Sequence, residues 1–169
     1  MPYIAKEHRS ELDKIAQRLI EQLPKDDAHL EVFGFLYEMM RDVYCGHTGT
    51  RYFLQNEMIG VLSCMSFEWQ DRRDVYPNGD RSIAKLPEIS SATRNILKDL
   101  ISLIPKDDYT LRPGHLNYFI TILMRDAIKS SIFVNEEIPN WIEALSRHLY
   151  STLTRPYEDS AIAKNGDVF

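Results

Sequence analysis

Asn56-Glu-Met-Ile-Gly-Val-Leu-Ser-Cys-Met-Ser-Phe-Glu-Trp-Gln-Asp-Arg-Arg73 reads as a helix, with Ile59, Leu62, Met65, Phe67 and Trp69 supplying its apolar surface. The parts recur in the same order over residues 135–153. There an asparagine is followed by Trp141, Ile142, Leu145, Leu149 and Leu153 on one face. One helix written twice makes the chain a tandem duplication. The flanking sequence agrees. Pro24-Lys-Asp-Asp27 returns 81 residues later as Pro105-Lys-Asp-Asp108, and Met40-Arg-Asp42 returns as Met124-Arg-Asp126.

Two more helices precede each copy of this stretch. In the first copy, Ser10-Glu-Leu-Asp13 resembles a capping box. Leu12, Ile15, Ala16, Leu19, Ile20 and Leu23 then follow helical spacing until Pro24. A second helix over about 30–44 buries Val32, Phe33, Leu36, Met39, Met40 and Val43, with Gly34 weakening it by about 1 kcal/mol relative to alanine. Cys45-Gly-His-Thr-Gly-Thr50 breaks the chain, with Gly46 a left-handed cap. Asn56 caps the third helix, and Tyr76-Pro-Asn-Gly-Asp80 ends the unit. In the second copy, Ser90 or Ser91 opens a helix carrying Ile96, Leu97, Leu100, Ile101 and Ile104. Residues 116–129 form the next, Asn135 caps the last, and Thr154-Arg-Pro156 ends it. No run reads clearly as a strand; Arg51-Tyr-Phe-Leu54 and Ser131-Ile-Phe-Val134 are the best short candidates, with loop or helix entry the plainer reading of both.

The expected fold is therefore all-α. Two three-helix repeats, 1–82 and 83–169, pack as a pseudo-dimer. Each copy is near the size at which a core is marginal, so the two are expected to share one.

The chain has 169 residues, 44% hydrophobic and 27% charged, as in an ordinary globular protein. Net charge is −5; residues 1–82 hold 10 basic and 14 acidic side chains and the rest 10 and 11. Neither half offers the cationic field that duplex nucleic acid requires. No run approaches the ~20 apolar residues of a membrane span. Cys45 and Cys64 lack metal-like spacing and read as reduced, small apolar residues, which places the protein in the cytoplasm.

Several stretches resemble a family of short helical proteins encoded by phages and bacterial genomes. They are Met1-Pro-Tyr-Ile4, Met58-Ile-Gly-Val-Leu-Ser-Cys64, Leu116-Asn-Tyr-Phe-Ile120 and the ending from Arg155-Pro-Tyr-Glu-Asp159 to Asn165-Gly-Asp-Val-Phe169. In that family's pattern, an aromatic residue and paired arginines precede Pro-Tyr-Glu-Asp. Here the pieces are split. The first copy keeps Arg72-Arg73 and a reduced ending, whereas the second keeps the full ending but has Ser151-Thr152 in place of the arginines. The resemblance implies an accessory role, in regulating the host or interfering with its defences.

Enzyme signatures are sparse. There is no phosphate-binding loop with Gly-Lys-Ser/Thr, no dinucleotide fingerprint and no zinc-protease helix. Gly46-His-Thr-Gly49 lacks the lysine, and the five histidines show no ligand spacing. Glu68 and Asp71 share one helix face, the arrangement by which all-α nucleotide pyrophosphohydrolases hold Mg²⁺. That reading needs a third carboxylate in the same cleft. Surface pairing with Arg72 or Arg73 is the plainer alternative.

Arginines beside tyrosines are the stronger binding signal. Arg72, Arg73, Arg155 and Tyr157 close the two third helices, and Arg41 and Arg125 repeat on the second helices. Guanidinium groups grip phosphate bidentately, and tyrosine stacks on a base. The same arginines are equally placed to pair with Asp42, Asp126, Glu158 and Asp159. Ile162 and Phe169 are placed to strap the tail across the other copy.

The expected function is a non-enzymatic binding protein that sequesters a small phosphorylated, nucleotide-type ligand, with no cofactor and with homo-oligomers allowed. A protein–protein adaptor or inhibitor and a Mg²⁺-dependent hydrolase are the alternatives.

Overall fold

In a computed structural model, residues 4–45, 52–76, 83, 85, 86 and 88–166 are described, and among them the regular structure is all helical. The first half supplies α1 (Lys6–Gln22), α2 (Ala28–Tyr44) and α3 (Tyr52–Arg73). The second supplies α4 (Ser91–Leu103), α5 (Arg112–Lys129) and α6 (Ile138–Leu149), the last entered through a 3₁₀ turn at Asn135–Glu137. A π-helical turn, Tyr150–Thr154, carries α6 directly into α7 (Arg155–Asn165). No helix among the described residues is long and apolar enough to cross a membrane.

The packing is interlocked. Helix α1 lies on α4 and α5, α2 on α4, and α3 on α6 and α5, so the main helix contacts run between halves. A single hydrophobic cluster extends from Leu12 and Leu19 through Phe33, Phe35 and Met58 to Phe119, Ile142 and Leu149. Each such side chain contributes roughly 1.5–3 kcal/mol on full burial.

Equivalent residues of the two halves meet one another, which locates a pseudo-two-fold axis. Arg18 donates to Asp99 at 2.9 Å, and these residues are 81 apart, the spacing of the repeated Pro-Lys-Asp-Asp. The Phe35 and Phe119 rings lie 6.0 Å apart, at the spacing of Met40 and Met124. Leu62 and Ile142 line one crevice between α3 and α6, and the Trp69 indole N–H, near the end of α3, donates to Asn135 Oδ1 just before α6 at 3.1 Å.

Ser90 caps α4 as its sequence suggests, with Oγ accepting from the Thr93 amide at 3.2 Å. Its own amide donates to Glu31 of α2 at 2.8 Å, so the cap is also a tie between halves.

Other boundaries differ from expectation. Helix α1 starts one turn before Ser10, because buried Ile4 and the Arg9 guanidinium, which donates to the Ile4 carbonyl at 3.1 Å, fix the chain earlier. Asn56 lies inside α3 rather than capping it. Of the two stretches weighed as extended segments or as loop and helix entry, residues 52–54 belong to α3 and Ser131 turns with φ 57°, while Arg51 lies outside the described residues. Pro156 does not end the last helix. It occupies the first turn of α7, where a missing amide hydrogen costs little. The segment Gly46–Thr50 and Phe169 lie outside the described residues.

Candidate functional site

Helix α3 has two working faces. Leu54, Met58, Leu62, Met65 and Trp69 are buried in the core. A second stripe at helical spacing, Glu57, Gly60, Val61, Cys64, Glu68 and Asp71, borders a groove of about 890 Å³. Phe67, Gln70 and Tyr76 line it too, and Pro113 and Asn117 at the start of α5 form the far wall. Phe67 is 67% exposed and Tyr76 61% exposed, unusual for aromatic rings that belong to no core. The size and the mix of an apolar wall with a few polar groups suit a small organic molecule.

One end of the groove is built on a buried ion pair. Arg112 Nε and Nη2 donate to Glu57 Oε1 and Oε2, both at 2.8 Å, joining α5 to α3. The Tyr44 hydroxyl donates to Glu57 Oε1 at 2.9 Å, and the guanidinium lies 5.2 Å from the Tyr44 ring centre. Arg112 also donates to the Lys106 carbonyl. It is only 4% exposed. The hydrogen bonds it donates to Glu57 raise the Arg112 pKa. Burial first, and then the Glu57 charge, push the Tyr44 hydroxyl far above its usual range. This cluster is one-sided: Ala28 and Ile128 stand where the repeat would put the counterparts of Arg112 and Tyr44.

The residues expected to bind ligand do not form one site. Arg72 faces Glu68 at 3.6 Å, and Arg73 lies 5.8 Å from the Trp69 ring centre. Arg41 is held by Glu38 and by Asp42 at 3.2 Å, and Arg125 by Asp126 at 2.8 Å. Arg155 is exposed at the start of α7. Tyr157 stacks on Tyr52 with centroids 6.1 Å apart, and Glu158 accepts from the Tyr52 and Tyr150 hydroxyls at 3.4 and 2.6 Å. The tail thus meets the first half through Tyr157 and Glu158 rather than Ile162, which is exposed. Tyr52 opens α3 and Arg72 closes it, and at 1.5 Å per residue about 30 Å separates the two groups. None of the six lines the groove; Arg72 touches it through its pairing with Glu68.

Glu68 and Asp71 do share the groove with a third carboxylate, Glu57. But Glu57 lies three helical turns away, about 16 Å along the axis, and is already held by Arg112 and Tyr44. Among the described residues no three metal-ligating side chains come together.

Arg112, Glu57, Pro113 and Asn117 escaped the sequence reading. The available signal was a charged residue opening α5 where the first copy has Ala28. His8 and His115, in different halves, also meet unannounced at 3.2 Å; His115 Nδ1 lies 2.9 Å from the Leu111 carbonyl, which leaves its Nε2 to accept.

The family model described as Domain of unknown function (DUF6899) matches residues 1–85 and again residues 86–168. The chain belongs to this family. Two DUF6899 copies in one chain are the tandem repeat seen in the fold, each supplying one set of three core helices. No curated protein and no solved structure matches significantly.

Proposed function

We propose that the protein is a non-enzymatic binding protein that sequesters a small phosphorylated, nucleotide-type ligand, with the base in the α3–α5 groove. The groove itself carries this reading. Phe67 and Tyr76 offer exposed ring faces for stacking. Glu68, Asp71 and the amides of Gln70 and Asn117 offer acceptors to ring N–H and exocyclic amine groups. Arg72 is half exposed, and a long, exposed ion pair such as Arg72–Glu68 is worth little, so a phosphate can exchange for the carboxylate. The carboxylate triad is too spread for metal-assisted hydrolysis, which favours holding over turnover. The resemblance to phage-encoded proteins supports a setting inside a host cell, against a nucleotide signal of defence or regulation.

Cys64 supplies the test, because its thiol is exposed and lines the groove. Alkylation by iodoacetamide is followed at Cys64 with a panel of linear and cyclic nucleotides. A true ligand slows Cys64 labelling at least tenfold, and Arg72→Ala weakens that ligand about tenfold or more, the value of one charge-assisted hydrogen bond. Labelling at the free rate with every nucleotide contradicts the reading and moves the groove to a protein partner.

A further inference from the structure

The pseudo-symmetry says what shape the groove takes. Aligning Met40-Arg-Asp42 with Met124-Arg-Asp126 sets His29 opposite Pro113 and Phe33 opposite Asn117. Laying α3 on α6 with Ser66 against Ser146 sets Val61 opposite Trp141 and Glu68 opposite His148. Between α6 and α2 these counterparts form an aromatic stack. The Trp141 ring lies 4.6 Å from Phe33 at an interplanar angle of 27°, with His29 at 5.6 Å and Phe133 edge-on at 6.4 Å. Between α3 and α5 the same three positions hold Val61, Asn117 and Pro113, and all three line the groove. An indole fills one site; its symmetry mate is open.

We infer that the groove receives a planar bicyclic ring of indole or purine size, lying between α3 and α5 as Trp141 lies between α6 and α2, and that Trp141 is a built-in occupant plugging a second, equivalent site. The inference rests on the groove being the binding site and adds the shape of what binds there. The two sites differ at their edges. Where the plugged site has His148, whose Nδ1 donates to the Ile83 carbonyl at 3.1 Å, and Ser151, the open one has the acceptors Glu68 and Asp71. It therefore selects rings whose edges donate hydrogen bonds. Gly60 keeps the entrance clear: a Cβ built there meets nothing within 4 Å.

The probe is indole, titrated calorimetrically into the full chain and into three variants. Val61→Trp transplants the plug, Gly60→Leu projects a side chain into the open space, and Trp141→Ala empties the plugged site. The expected stoichiometry is one indole per wild-type chain and two for Trp141→Ala, with binding at least tenfold weaker in Val61→Trp and Gly60→Leu. Should Val61→Trp fail to fold, Gly60→Leu decides. Indole binding unchanged in the folded blocking variants, or absent from wild type at millimolar concentration, overturns the inference. Nucleotide protection of Cys64 is read separately. Nucleotides that bind wild type and Val61→Trp alike sink the ring site and leave the binding function standing. Indole that binds as described while no nucleotide does sinks the nucleotide reading alone.

Discussion

Glu57 and Arg112 show how a single residue can matter to both stability and site. The pair is bidentate and nearly dry, so removing one partner leaves the other to meet its desolvation cost alone. Glu57→Gln strands a guanidinium that is 4% exposed, and the expected loss is about 3 kcal/mol in urea unfolding. Arg112→Met should cost less, because the Glu57 side chain is 19% exposed and can rehydrate. Equal losses would show that the pair is only packing. Asp126 gives a pH signature. Hydrogen bonding from Arg125 holds its carboxyl below the usual range. A lowered folded-state pKa means that this contribution is complete above about pH 4, the unfolded value, and fades as pH falls through the folded one. Asp126→Asn should therefore flatten the stability profile below pH 4 and leave its shape at pH 6–8 unchanged. Neither interaction could be read with assurance from the sequence. Arg125-Asp126 was visible because it repeats, whereas Glu57–Arg112 exists in one copy only and joins residues far apart in the chain.

At the scale of elements, the helices were legible where apolar spacing was dense, as in α1, α2 and α4. Their ends were not. Ser10 and Asn56 have the chemistry of caps but lie within helices, because tertiary anchors upstream, such as buried Ile4, set the true start. The α6–α7 junction was hidden for a related reason: Pro156 reads as a stop, yet a π turn places it at the first turn of a new helix. Helix α3 carries one faces-the-groove glycine in its interior. Gly60 has no steric need to be glycine, so Gly60→Ala should stabilise the protein by about 0.5–1 kcal/mol and raise Tm by roughly 1–4 °C. A drop in Tm would show that the backbone at Gly60 needs the freedom. Ligand affinity should be little changed by alanine and strongly reduced by leucine, since only the larger side chain reaches into the groove.

At the scale of the molecule, the duplication was legible because motifs repeat in order. The interlock was not, because periodicity tells which face of a helix is buried and not which helix covers it. Since α1 packs on α4 and α5, residues 1–82 alone have no complete core. That half should show no folded monomer. Any helical state should be a self-paired dimer whose unfolding midpoint rises with concentration, or should appear only on mixing with residues 83–169. A cooperative, concentration-independent transition of the isolated half would contradict the shared core. Duplication within one chain also frees the two sites to diverge, and the groove beside Val61 and the plug at Trp141 are what such divergence leaves. Of the groove's lining, only Glu68 and Asp71 were marked as site candidates by the sequence, with Arg72 beside them; the far wall comes from the other half, so no local pattern could show it.

A small nucleotide-type ligand held in the α3–α5 groove should stay with the protein through gentle purification. Native mass spectrometry of that protein, beside the Gly60→Leu variant, shows whether it does. Extra mass is expected on the wild-type chain, matching a nucleotide, lost on denaturation and missing from Gly60→Leu. A clean apo mass after incubation with host metabolites, or the same added mass on both proteins, would contradict it.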